Sequence, residues 1–252
     1  VAIIELSGIS KSYGAFDALR GIDLSIEEAS VTCVLGDNGA GKSTLIKILS
    51  GVHEPTSGQL LFDASPVTFS SPRDAIAHGI ATVHQSLAIV EPLSVWRNFF
   101  LGDELSGRFG VLRQAEMRSV CAEALREMGI VIPDVDVEAG NLSGGQRQVL
   151  SIARAIHFGA RVVILDEPTA ALGVKQSGMV LRFVAAARER GVAVVLVTHN
   201  PHHAYLVGDR FTIVKLGRQE LVADREEITL EELTRQMAGG EELEALSHEL
   251  GR

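Results

Sequence analysis

The run Val31-Thr32-Cys33-Val34-Leu35-Gly36, passing straight into Asp37-Asn38-Gly39-Ala40-Gly41-Lys42-Ser43-Thr44, leaves this chain few folds to choose from. A short, β-branched, mostly apolar run that ends in glycine reads as a buried parallel strand. Beyond it Leu45, Ile46, Ile48 and Leu49 recur at helical spacing. The connecting loop fits G-x-x-x-x-G-K-[ST] between a strand and a helix, the context that such a loop requires. Gly36, Gly39 and Gly41 let backbone N–H groups turn inward, with Asn38 and Thr44 in the same wrap, and the helix N-terminus adds partial positive charge. Lys42 is then expected to reach the β- and γ-phosphates of ATP, and Ser43 to ligate Mg²⁺. The alternative, a glycine-rich turn without a ligand, does not explain the lysine or the flanking elements.

The rest of the chain completes an α/β pattern. Ile4, Leu6, Ile22, Leu24 and Ile26 alternate with polar residues, a strand periodicity punctuated by Gly14 and Gly21, which are expected to mark turns. From about residue 160, VVIL (162–165) and VAVVLVTH (192–199) read as buried strands around a helix over 178–191 that stops at Gly191. Alternating strands and helices imply a mostly parallel sheet. Residues 87–155 differ: 114–129 carries Met117, Val120, Cys121, Ala124, Leu125 and Met128 at helical spacing, and 146–156 reads as another helix. We expect one domain, with a core over 1–86 and 156–223, a helical subdomain over 87–155 and a helical tail over 224–252. In that tail Thr229 and Glu232 have capping-box spacing, and EELEALSHELGR reads as a short acidic helix.

Composition excludes several classes. With 23 Lys and Arg against 32 Asp and Glu, the net charge is −9, so a bulk basic surface for nucleic acid is absent. No apolar run approaches the roughly 18 residues that span a bilayer, and no secretory start is expected. A chain of this kind is expected on the cytoplasmic side of the membrane, where any membrane role requires docking on other chains. Cys33 and Cys121 lie in apolar patterns without metal-site spacing and are expected to be buried, reduced thiols.

Two further motifs carry chemistry. The strand VVIL delivers Asp166 and Glu167 at its C-terminal end, where parallel sheets bind ligands. Asp166 is expected to hold Mg²⁺, and Glu167 to polarise an attacking water as general base. Leu142-Ser143-Gly144-Gly145-Gln146 precedes a helix and offers a second anion site at a helix N-terminus; for Ser-Gly-Gly alone, a loop and helix cap would be the plainer reading.

The order and spacing of LSGGQ, the phosphate loop and the acidic strand resemble, over essentially the whole chain, the ATP-binding subunits of ABC transporters. The resemblance implies a P-loop NTPase of the ABC ATPase type: α/β, with a mostly parallel sheet core, an N-terminal antiparallel β subdomain and an inserted helical subdomain. It further implies that Tyr13 stacks on adenine, that Gln85 touches Mg²⁺ and water and senses the permease, and that His199 contacts the γ-phosphate. His202 and His203 carry no such match and are read as solvated; His84 has no assigned role. In this family two cassettes dimerise head to tail, so Ser143, Gly144, Gly145 and Gln146 would serve the nucleotide of a partner, in a homodimer or with a second cassette.

The segment SPRDAIAHGIATVHQSLAIVEPLSVWRNFFLGDE, with DEPTAALGVKQSG, resembles the ATP-binding subunits of bacterial monosaccharide importers of the ribose, xylose and fructose group. That implies permease partners and, indirectly, an extracytoplasmic sugar-binding protein. Gly173 departs from the wider superfamily, where an Asp usually ends this loop. Leu87, Ile89, Val90, Leu93, Val95, Trp96, Phe99 and Phe100 are expected to divide between a helical-subdomain core and a groove for a permease helix. The alternatives are the ATPase of a transporter for another solute, such as an amino acid or lipid, and a nucleotide-dependent regulatory module without turnover.

Overall fold

A computed structural model describes residues 1–238. The elements run β1 (Ala2–Tyr13), β2 (Phe16–Glu27), β3 (Val31–Leu35), α1 (Lys42–Leu49), β4 (Ser57–Phe62), β5 (Ser65–Val67), α2 (Pro72–Ala77) and β6 (Ile80–Val83). They continue α3 (Val95–Phe99), α4 (Gln114–Glu127), α5 (Gly144–His157), β7 (Val162–Asp166), α6 (Val174–Glu189) and β8 (Ala193–Thr198). The described part closes with α7 (Pro201–Val207), β9 (Arg210–Lys215), β10 (Arg218–Asp224) and α8 (Leu230–Met237). The acidic segment EELEALSHELGR lies outside the described residues.

Among the described residues the strands form a four-stranded sheet, β2-β1-β4-β5, and a six-stranded sheet, β10-β9-β3-β8-β7-β6. The first is antiparallel in every described pairing. In the second, β9, β3, β8, β7 and β6 are parallel, and β10 joins antiparallel at the edge. The chain thus has the α/β architecture that the strand and helix alternation predicts.

The period of two along each buried strand sends successive side chains to opposite faces. Val31, Cys33 and Leu35 of β3, Val163 and Leu165 of β7, and Val194 and Leu196 of β8 join a core with buried residues of α3 to α8. Val34, Val162, Ile164, Val195 and Val197 face the other way, onto α1 and the antiparallel sheet. Strands buried on both faces read as unbroken apolar runs for this reason. Residues 87–155 carry α3 and α4 and nearly all of α5, and Trp96, Phe99, Met117 and Cys121 belong to the first core rather than to one of their own.

Several local expectations need correction. Gly14 does turn the chain between β1 and β2, at φ +61°, but Gly21 lies inside β2. Its φ of +65° falls where the β1–β2 register shifts, so it relieves a bulge and makes no turn. Helices α5 and α6 begin earlier than their apolar periodicity indicates, at Gly144 and Val174. At α8 only half the capping box forms: the Thr229 hydroxyl accepts from the Glu232 N–H at 3.2 Å, while the Glu232 carboxylate goes to Gln236 and Arg235. Both cysteines are buried and free, and burial pushes the Cys121 thiol up to about 12 and Cys33 still higher.

Candidate nucleotide site

Between β3 and α1 the loop bends through left-handed backbone at Gly36, Gly39 and Gly41, with φ of +151°, +84° and +113°. Two of these glycines are demanded by the protein itself. A Cβ on Gly36 would meet the Val214 carbonyl oxygen at 2.2 Å, and one on Gly41 would meet the Ala18 carbonyl oxygen at 2.8 Å. The β9–β10 turn braces the loop from behind: Gly217 N–H donates to Ala40 O at 2.8 Å, and Arg20 N–H to Gly217 O at 2.7 Å. Inside the loop, Lys42 Nζ donates to Gly36 O at 2.5 Å and to Asp37 O at 3.0 Å. Burial pulls the Lys42 pKa down, against the opposing pull of Glu167, Asp37 and Asp166.

Strand β7 ends on the two carboxylates. Burial pushes the Asp166 pKa up; His84 draws it back, Glu167 adds to the rise and Lys42 opposes it. Glu167 departs from the strand into left-handed backbone at φ +50°, a costly conformation for a residue with a Cβ. That turn re-aims its carboxylate, which lies 3.8 Å from Lys42 Nζ. The Thr198 hydroxyl donates to Glu167 Oε2 at 3.2 Å, and His199 Nδ1 lies 2.9 Å from Oε1.

One cavity of about 350 Å³ collects Asn38, Gly39, Gly41, Lys42, Ser43, Thr44, Gln85, Asp166 and Glu167. A hydroxyl, an amide and a carboxylate oxygen are hard donors, and Ser43, Gln85 and Asp166 supply them on the wall of this cavity, so the donor set fits Mg²⁺. Gly36 stands behind the wall, against Val214. Tyr13 lies outside it, half-exposed and edge-on to His53 with centroids 5.6 Å apart. Phe16, paired with Tyr13 across the β1–β2 turn, lines the cavity instead and is a second exposed aromatic there. The signal for it was the turn at Gly14, which places Phe16 opposite Tyr13. His199 does not line the cavity, and its Nδ1 bonds Glu167, which does.

The other glycine motif lies outside the phosphate-loop cavity. Ser143 caps α5 in a full capping box, accepting from Gln146 N–H at 3.3 Å while Gln146 Oε1 accepts from Ser143 N–H at 2.9 Å. A Cβ on Gly144 would strike Leu172 at 2.8 Å, and one on Gly145 would crowd Gln176 at 3.1 Å, so α6 packs directly on this loop. None of residues 143–146 lines the phosphate-loop cavity. Gly144 lines a neighbouring cavity of about 280 Å³ with Leu172, and Gln85 and Glu167 belong to both cavities.

Gly173 is the N-cap of α6 without a side-chain acceptor, and a Cβ there would meet open space. Gly173→Asp is therefore expected to stabilise the fold by about 0.5–1 kcal/mol, through a cap bond and the helix dipole. Urea unfolding reads this directly, and an unchanged or lower midpoint overturns it.

The apolar cluster after Gln85 divides. Val95, Trp96, Phe99 and Phe100 are buried in the core, whereas Leu87 and Ile89 line a groove of about 290 Å³ with Val83, Leu150 and Phe158. Asp103 and Arg154 supply its polar wall. One expectation about the histidines fails. His202 is exposed, but His203 is half-buried, with Nδ1 2.9 Å from Thr169 Oγ1. Burial lowers its pKa, and His202 and His199 lower it further.

Known proteins resemble this chain over most of its length. The family model described as ABC transporter matches residues 19–170. The xylose/arabinose import ATP-binding protein XylG of Sulfolobus acidocaldarius is 40% identical over 235 residues, 93% of each chain. The fructose import ATP-binding protein FrcA of Rhizobium meliloti is 40% identical over 247 residues, 95% of each. Among solved structures, a dimeric ATP-binding cassette in a post-hydrolysis state with ADP and Pi is similar with a TM-score of 0.74. It is 25% identical, and the match covers 89% of this chain and all of that one.

Proposed function

This chain belongs to the ABC transporter family of ATP-binding proteins, and from that premise we propose that it binds and hydrolyses ATP to power the import of a monosaccharide through a separate permease. One observation carries the reading. The phosphate loop, Asp166 and Glu167 converge on one cavity, while Ser143, Gly144, Gly145 and Gln146 stand outside it at a different helix end. Each chain therefore offers two half-sites, and two copies placed head to tail complete both.

In this arrangement Lys42 and the loop N–H groups hold the β- and γ-phosphates, and Tyr13 takes the adenine with Phe16 beside it. Ser43, Gln85 and Asp166 hold Mg²⁺, which neutralises charge on the phosphates. Glu167 orients and deprotonates the attacking water, and His199, already bonded to Glu167, turns to the γ-phosphate. Ser143 and Gly145 close on the nucleotide of the partner. The groove walled by Leu87, Ile89 and Phe158 receives a permease segment beside Gln85. No described helix is long and apolar enough to cross a membrane. In this reading the work at the membrane passes through that contact, on its cytoplasmic side. The import names of the relatives support a sugar as cargo, and the sugar-binding protein and permease select it. Ligand analysis of the binding protein that co-purifies with the permease tests this, and an amino acid or lipid there overturns it.

Ser143→Arg tests the shared site. The arginine fills the space that the γ-phosphate of the partner must occupy, so ATP-driven dimerisation and hydrolysis are lost. MgATP binding by the monomer survives, because no residue of its own cavity is touched. The lost cap costs about 1 kcal/mol, well short of unfolding a domain. Light scattering that still finds an ATP-dependent dimer of this variant refutes the sandwich.

A further inference from the structure

The hydrogen bonds around Glu167 close into a ring that passes through His203. Thr198 Oγ1 donates to Glu167 Oε2 at 3.2 Å and accepts from Asn200 N–H at 3.1 Å. Asn200 Oδ1 accepts from His203 N–H at 3.1 Å. His203 Nδ1 then meets Thr169 Oγ1 at 2.9 Å, and Thr169 is joined through Pro168 to Glu167 itself. The ring spans the ends of β7 and β8 and the first turn of α7.

Such a ring has a specific physical task. Glu167 sits in left-handed backbone, which persists in a residue with a Cβ only when its surroundings over-determine it. Upstream of the turn, Glu167 N–H is fixed by Val197 O at 2.9 Å. Downstream, Ala170 N–H closes on Glu167 O at 3.0 Å, and Thr169 is 7% exposed. Proline at 168 can donate no bond. The Thr169 side chain is therefore the polar anchor of this turn on the α7 side, and His203 is its partner.

We propose that His203 is a positioning residue for hydrolysis: through Thr169 it holds the turn that aims the Glu167 carboxylate at the attacking water. The inference rests on the reading of Glu167 as the base. His203 does not line the phosphate-loop cavity, so its loss shifts the base and leaves the nucleotide contacts intact. Misplacing a catalytic group by about 1 Å costs up to about 10²-fold in rate.

The test is steady-state and single-turnover ATP hydrolysis by the full chain. His203→Ala and Thr169→Val should each lower kcat by about 10- to 100-fold, with KM for MgATP within about twofold. The double variant should fall no further than either single one, since both remove the same bond. His203→Asn, which keeps a polar atom near the position of Nδ1, should restore most of the rate, a rescue that a packing role would not give. In a Glu167→Gln background, His203→Ala should have no further effect. If Glu167→Gln is inactive but His203→Ala turns over within about twofold of the parent, the positioning role is wrong and the base assignment stands. If Glu167→Gln itself keeps the parental rate, the base assignment fails first. Additive losses in the double variant, or an asparagine variant no better than alanine, also overturn the proposal.

Discussion

Lys42→Ala is expected to weaken MgATP binding by about 10- to 100-fold, because a charge-assisted bond to phosphate contributes about 1.5–3 kcal/mol. Three features place the loss toward the upper end. Lys42 is buried, so water does not replace its charge. Its ammonium also ties Gly36 O to Asp37 O, and the loop loses that internal strut. Finally, Glu167, 3.8 Å away, is left facing phosphate without a cation between them. Lys42→Met separates charge from volume: it fills the same space and should lose nearly as much affinity. Titration calorimetry decides the matter, and an affinity within about threefold of the parent removes this loop from the site.

Glu167→Gln is expected to slow hydrolysis by about 10²–10⁴-fold while sparing MgATP affinity. Glutamine keeps an acceptor for Thr198 and a partner for His199, so the turn should hold its shape. What disappears is the negative charge that orients and activates water. Removing a carboxylate from beside the γ-phosphate also relieves like-charge repulsion, so the variant should accumulate as an ATP-bound dimer. Single-turnover hydrolysis at saturating MgATP is the decisive measurement. Turnover within a few-fold of the parent would show that Glu167 is not the base.

Much of this site was legible because its parts are contiguous in the chain. A strand ending in Gly36, a lysine opening a helix and a strand ending in two acids are local patterns, and the architecture brings them together. Gly21 misled because a positive φ serves a bulge as well as a turn, and only the pairing of β1 with β2 distinguishes them. The early starts of α5 and α6 were hidden because their first turns are glycine-rich or polar and pack on each other, Gly145 against Gln176. Phe16 was missed because its role depends on facing Tyr13 across a turn. The bond from His203 to Thr169 joins residues on different elements, and nothing in the local run Pro201-His202-His203 distinguishes the half-buried ring from its exposed neighbour.

The close packing of the phosphate loop, with Gly41 against Ala18, Gly36 against Val214 and Ala40 bonded to Gly217, has a thermodynamic consequence. Most anion-binding loops are surface segments whose backbone entropy is lost when the ligand arrives. Here the ends of the loop are held by these contacts, so part of that entropy is lost when the chain folds. The two ends of the loop therefore move only with the elements that grip them, while Asp37, Asn38 and Gly39 between them stay exposed to an arriving ligand. Nucleotide then meets a loop whose ends are already set, which leaves more of the free energy of binding available for drawing two chains together.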